Sequence, residues 1–164
     1  MIAENRIILK NAGHIDPSGI DDYIACGGYS ALGKAQGREP GDIVEEIAAS
    51  GLRGRGGAGF PTGIKKKAAA GSVTKGTKYV VCNADEGEPG TFKDRMIMEN
   101  DPHLLIEGMI IAALAIGSGK GFIYIRGEYY RSVELLHKAI DDARKRGMLG
   151  QNIQGSGFSF DLEI

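Results

Sequence analysis

Apolar positions along the chain follow two periods. Ile43, Val44, Ile47 and Ala48 recur at helical spacing, which predicts a helix over 41–50 with one apolar face. Pro40 follows Glu39 and suits the first turn of that helix. Leu104, Leu105, Ile106, Met109, Ile110 and Leu114 make 102–117 apolar nearly all round, the mark of a helix packed on a sheet. Val133, Leu136, Ala139, Ile140 and Ala143 give an amphipathic helix over 130–146, with Glu134 and Lys138 as an outward i,i+4 pair. Residues 78–83, 121–126 and 158–164 read as strands. Strands alternating with helices over 78–164 predict an α/β fold with a mostly parallel sheet, flanking helices and right-handed crossovers.

The N-terminal third reads differently. Residues 6–11 suggest a short strand, Ser18 a cap for a helix over 19–25, and 29–35 a second helix. Residues 1–50 thus form a small helical N-terminal segment before a domain over 51–164. A helix over 63–70 and a polar connection over 71–76 open that domain. It reads as incomplete, because the last residues form a strand and leave a sheet edge that invites self-association.

Composition narrows the classes. Charged residues are 25% and the net charge is −1, against nucleic-acid or membrane-surface binding through bulk charge. No stretch reaches membrane-spanning length, and 1–10 lacks the apolar core of a signal peptide. The reading is cytoplasmic. Cys26 and Cys82 lack a C-x-x-C partner, which argues for reduced thiols and against a metal site made from them. His103, alone near a helix start, reads as a core or capping residue.

Glycine is in excess, 26 of 164 residues, and six fall within the thirteen residues 51–63. Gly54, Gly56, Gly57 and Gly59 alternate there with Arg53, Arg55, Phe60 and, just beyond, Lys65. Consecutive N–H groups in such a loop form an anion nest, and a helix start beside it is a phosphate site. The spacing fits G-x-G-x-x-G, but a helix rather than a strand precedes it, so this is not the dinucleotide fingerprint. A ligand-free surface loop is the alternative. A second informative stretch, Asn83, Asp85, Glu86 and Glu88, lies at the carboxyl end of the first strand of 78–164, where ligands of open α/β sheets sit. Those acceptors suit ribose hydroxyls or ring N–H groups, and the alternative is a charged turn before a helix. Lys65, Lys66 and Lys67 could pair with a 2′-phosphate, or Lys66 and Lys67 form a solvated helix face.

Together, the runs 50–65, 82–90, 92–95, 102–109 and 125–129 resemble the flavin-bearing NADH-oxidising subunit of respiratory complex I and of related NAD(P)-reducing hydrogenases and formate dehydrogenases. The resemblance covers nearly the whole chain and implies the N-terminal part of such a subunit. It implies a Rossmann-like domain binding FMN and NAD(H) or NADP(H), with hydride passing to FMN and electrons leaving through iron–sulfur clusters. On the same ground Gly54, Arg55, Gly56 and Gly57 contact both cofactors, and Phe60 lies under the adenine. Lys65 contacts the cofactor, Asn83, Asp85 and Glu86 face the flavin, and Glu88 faces the nicotinamide nucleotide. Iron–sulfur electron-transfer subunits are the implied partners, and a [4Fe-4S] cluster of the full subunit would have its ligands outside these residues. The family usually has aromatic residues just after the lysine, where Lys66, Lys67 and Ala68 stand here. Its downstream glycine–glutamate–glutamate flavin loop is not in this sequence, so the chain alone is expected not to turn over NADH. The competing reading is a catalytically silent nucleotide-binding or assembly module.

Overall fold

The computed structural model describes residues 5–73 and 76–164. Helices α1 (Ile20–Ala25), α2 (Ser30–Gln36), α3 (Pro40–Ala49) and α4 (Thr62–Gly71) precede β1 (Tyr79–Ala84). Then come α5 (Lys93–Asn100), α6 (Pro102–Ile116), β2 (Lys120–Ile125), α7 (Tyr130–Lys145) and β3 (Asp161–Glu163). The sheet is parallel in the order β1-β2-β3, so the α/β expectation holds. Its register sets Tyr79 beside Lys120 and Ala84 beside Ile125, which brings the carboxyl ends of β1 and β2 together.

Period-2 alternation splits the sheet into two faces. Val80, Ala84, Ile123 and Leu162 point into the core with Ile106, Ile110, Leu136 and Ile140 of α6 and α7. Gly121 belongs to that face because a Cβ there would meet the Phe160 ring at 2.6 Å. The opposite face carries Tyr79, Val81, Phe122 and Tyr124, all exposed. Helix α6 is the hub: it touches α2, α3, α4, α5, α7, β1 and β2, which is why it is apolar on every side.

A buried polar cluster ties the N-terminal helices to α6. The Glu107 carboxylate accepts hydrogen bonds from the Tyr23 hydroxyl at 2.6 Å and from the Tyr29 and Leu32 amides at 2.9 Å, so it caps α2 from another element. Asn11 donates to Asp101 at 2.7 Å, and Asp101 caps α6 through the Leu104 amide. His103 is a core residue, as expected, with Nδ1 2.9 Å from the Tyr29 hydroxyl.

Several local expectations are corrected. Residues 7–14 form turns, not a strand, because their amides bond locally, Ala12 to Leu9 O and His14 to Asn11 O. Ser18 does not cap α1; its amide bonds Asp16 Oδ1 and Gly19 takes the cap position. Lys138 pairs forward with Asp142 at 2.8 Å rather than back with Glu134. The last strand is shorter than 158–164, because Phe160 pairs antiparallel with Gly150 before β3 begins. Helix α5 had no counterpart in the pattern of apolar positions. The polar connection over 71–76 includes residues 74 and 75, and the N-terminal reading includes 1–4; these lie outside the described residues. Both cysteines are free, and burial pushes the Cys82 thiol up to about 11. No helix among the described residues is long and apolar enough to cross a membrane.

Candidate cofactor site

The glycine loop is a closed excursion between α3 and α4. Its ends are pinned by an antiparallel bridge between Arg53 and Pro61, with Gly54 N donating to Phe60 O at 3.0 Å and Thr62 N to Leu52 O at 2.8 Å. The conformation needs glycine at Gly59, where φ is +68°. Gly57 is different: a Cβ there would meet nothing within 4 Å. Its lack of a side chain therefore serves no contact inside the chain. The loop leads into α4, whose first turn has no side-chain cap.

Two recesses flank the loop. One, of about 350 Å³, lies at the carboxyl end of β1 and is lined by Gly56, Asn83, Asp85, Glu86, Glu88, Lys93 and Asp94. The other, of about 340 Å³, lies along β1 and is lined by Gly54, Phe60, Lys65, Lys66 and Tyr79 among others. The first is acidic, with Lys93 as its lining cation, and the second is basic and aromatic. Of the residues singled out in the sequence, Gly56, Asn83, Asp85, Glu86 and Glu88 share the acidic recess; Gly54, Phe60 and Lys65 share the basic groove. Gly57 sits in the loop between them and lines neither. Arg55 is not brought to either recess: it lines a separate hollow with Asn5 and 6–9.

Within the acidic recess the carboxylates are not equivalent. Glu86 is 5% exposed, and its carboxylate accepts from the Asp94 and Arg95 amides at 3.0 and 3.3 Å, capping α5. Burial alone would raise its pKa, but those amides and the Lys93 charge outweigh it and hold the carboxyl below the usual range. The Glu86 backbone carbonyl accepts from Arg126 at 3.1 Å and from the Tyr129 hydroxyl at 3.2 Å. Asp85 and Glu88 are exposed, with Asp85 4.0 Å from the Arg126 guanidinium. Asn83 Oδ1 accepts from the Asp85 amide and fixes the first step of the turn. So Glu86 holds the turn, while the Asp85 and Glu88 carboxylates line the recess exposed. Arg126 and Tyr129, just beyond β2, reach Glu86 because the parallel register brings the two strand ends together.

Sequence reasoning missed Tyr79, Lys93, Arg126 and Tyr129. Tyr79 had a signal, since it occupies an outward position of a strand. Arg126 and Tyr129 depend on which strands are neighbours, and Lys93 on where α5 starts. It also set Lys66 on a solvated face, which is corrected: Lys66 is half-buried and lines the basic groove, whereas Lys67 is exposed and pairs with Glu45.

This arrangement has clear relatives. Residues 47–164 match the family described as the Nuo51 FMN-binding domain. The chain belongs to that family. It is 54% identical over 159 residues to the NADP-reducing hydrogenase subunit HndC of Solidesulfovibrio fructosivorans, covering 97% of this chain and 32% of the relative. Identity to an NADH-quinone oxidoreductase subunit of Aquifex aeolicus is also 54% over 159 residues, covering 97% and 36%. The corresponding NADH-quinone oxidoreductase subunit of Escherichia coli is 46% identical over 149 residues, covering 90% and 34%. Among solved structures, an NAD+-reducing [NiFe]-hydrogenase in the air-oxidized state superposes with a TM-score of 0.67 at 32% identity, covering 97% of this chain and 24% of that one. The same enzyme type in the H2-reduced state gives 0.65 at 38% identity, covering 77% and 21%. This member of the Nuo51 family thus spans about a third of the length of the curated relatives it matches.

Proposed function

We propose that the chain is the FMN- and NAD(P)H-binding part of an oxidoreductase subunit that passes hydride from the nicotinamide to the flavin. Electrons would then leave to iron–sulfur clusters held by partner subunits. One observation carries this reading: a single glycine loop lines both an acidic recess at a strand end and a basic aromatic groove beside it. The donor set fits FMN. Asn83, Asp85 and Glu88 offer acceptors for hydroxyl and ring N–H groups, Lys93 offers a cation, and Gly57 leaves open space at the loop surface. Bound FMN supplies a ring that takes two electrons together and releases them singly.

The chain's residues bind and orient. Gly56 and Gly57 let the backbone come close to a ring. Glu86 keeps the strand-end turn fixed through α5, Arg126 and Tyr129. Phe60 and Tyr79 offer flat surfaces for a base in the groove, and Lys65 offers a charge. No side chain has to move a proton, because the transferred species is a hydride. A silent nucleotide-binding module is the second reading, favoured by the exposure of Asp85 and Glu88.

The test is a flavin-fluorescence titration of FMN into the chain and into Gly57→Val and Asp85→Asn. Saturable binding by the parent, weakened at least tenfold in Gly57→Val, is expected. Equal affinity in all three proteins would remove the reading.

A further inference from the structure

Consecutive lysines of α4 do different things. Lys67 pairs with Glu45 of α3 at 2.7 Å. Lys66 lines the basic groove, half-buried, and its ammonium group makes no hydrogen bond or ion pair among the described residues. Lys65 lines the same groove from its exposed side. No carboxylate among the described residues lines this groove, so the two charges there have no neutralising partner in it. Burial, and then the neighbouring charge of Lys65, hold Lys66 below its ordinary value, and a bound anion would oppose both effects.

The rest of the groove is aromatic. Phe60 and Tyr79 are 57% and 53% exposed, and such rings are platforms on which a base stacks. A volume of about 340 Å³ falls in the range of ligand pockets. A stacking surface beside two uncompensated ammonium groups matches an adenosine that carries a phosphate monoester on its ribose. We propose that Lys66, assisted by Lys65, selects nicotinamide cofactors bearing a 2′-phosphate. The inference rests on the reading of this site as one for FMN and NAD(P)H. It assigns the groove to the adenosine end and gives Lys66 the choice between the two cofactors.

Calorimetry of the chain with 2′,5′-ADP and with 5′-AMP tests it, since these probes differ only in the 2′-phosphate. At low salt, 2′,5′-ADP is expected to bind about tenfold tighter, and the gap should narrow as salt rises. Lys66→Gln should remove the gap, Lys66→Arg should keep it, and Lys67→Gln should leave it unchanged. Circular dichroism of each variant checks the fold. Equal binding of the two probes, or an undiminished gap in Lys66→Gln, overturns the inference. So does a loss of FMN affinity in Lys66→Gln with the gap intact, because the groove would then hold the flavin phosphate. FMN binding without discrimination between the probes overturns this inference alone; failure of FMN and of both probes to bind overturns the site reading as well.

Discussion

Gly63 of α4 packs directly against Ala48 of α3. A Cβ there would lie 2.4 Å from Ala48 Cα and 2.8 Å from its amide nitrogen, and backbone cannot step aside as a side chain can. Gly63→Ala should therefore destabilise the chain by about 1–3 kcal/mol, read as a lower urea midpoint. Gly57→Val makes the opposite case. The space there is open, so its stability should stay within about 0.5 kcal/mol of the parent while FMN binding falls. The two glycines look alike in the sequence. What separates them is the partner across the gap, which spacing along the chain does not encode.

His103 is the residue with a distinct pH signature. It is 2% exposed, Nε2 has no partner among the described residues, and burial pushes its pKa down to about 4. The unfolded imidazole takes its proton near pH 6.5. Between those values the unfolded chain binds more protons than the folded one, so stability must fall as pH is lowered. The loss is on the order of 3 kcal/mol in total and levels off below the folded value. Urea unfolding at a series of pH values should show this slope in the parent and a flatter one in His103→Phe. Identical slopes would contradict the account. That His103 is a core residue was legible from its place in an apolar helix; its partners Tyr29 and Tyr23 were not, since they lie more than seventy residues away in sequence.

Helices and strands with strong apolar periodicity were read within a residue or two, as with α3, α6, β1 and β2. Helix α5 escaped because its sequence, Lys-Asp-Arg-Met-Ile-Met-Glu-Asn, has no clear apolar stripe. Its start is fixed instead by a carboxylate from the turn after β1, a contact across elements. The residues at 6–11 had strand-like composition, but amide bonds within 9–14 formed local turns instead. The α5 cap makes a prediction at this scale. Glu86→Gln should cost about 1–3 kcal/mol, because it weakens two amide bonds in a buried place. In the parent this contribution is complete above the ordinary glutamate pKa of about 4.3 and is lost as pH falls through the lower folded value. Thermal unfolding at neutral pH and at acid pH checks both parts: the gap between parent and variant should close in acid.

At the scale of the whole molecule, the parallel sheet is packed on one face only. Val81, Tyr124 and Tyr79 are 62%, 64% and 53% exposed, whereas parallel sheets are ordinarily covered on both sides. The sequence reading placed the risk of self-association at the last sheet edge; the structure adds a bare apolar face. The chain in isolation should therefore associate in a concentration-dependent way by size-exclusion chromatography, and Val81→Lys with Tyr124→Lys should shift it toward monomer. A monomer at every concentration would contradict this. The same openness bears on catalysis. Rings held on an open surface are hard to align, and about 1 Å of misplacement costs on the order of a hundredfold in rate. NADH–ferricyanide turnover by the chain with added FMN should stay at background.

On the proposed reading, the glycine loop and the strand-end turn hold the flavin together. It is tested most directly by amide chemical-shift mapping of the labelled chain during FMN addition. The account predicts shifts at Gly54, Gly56 and Gly57 and at Asn83, Asp85, Glu88 and Lys93, saturating together. Shifts confined elsewhere, such as the hollow between α2 and α3 lined by Lys34 and Arg38, would contradict it.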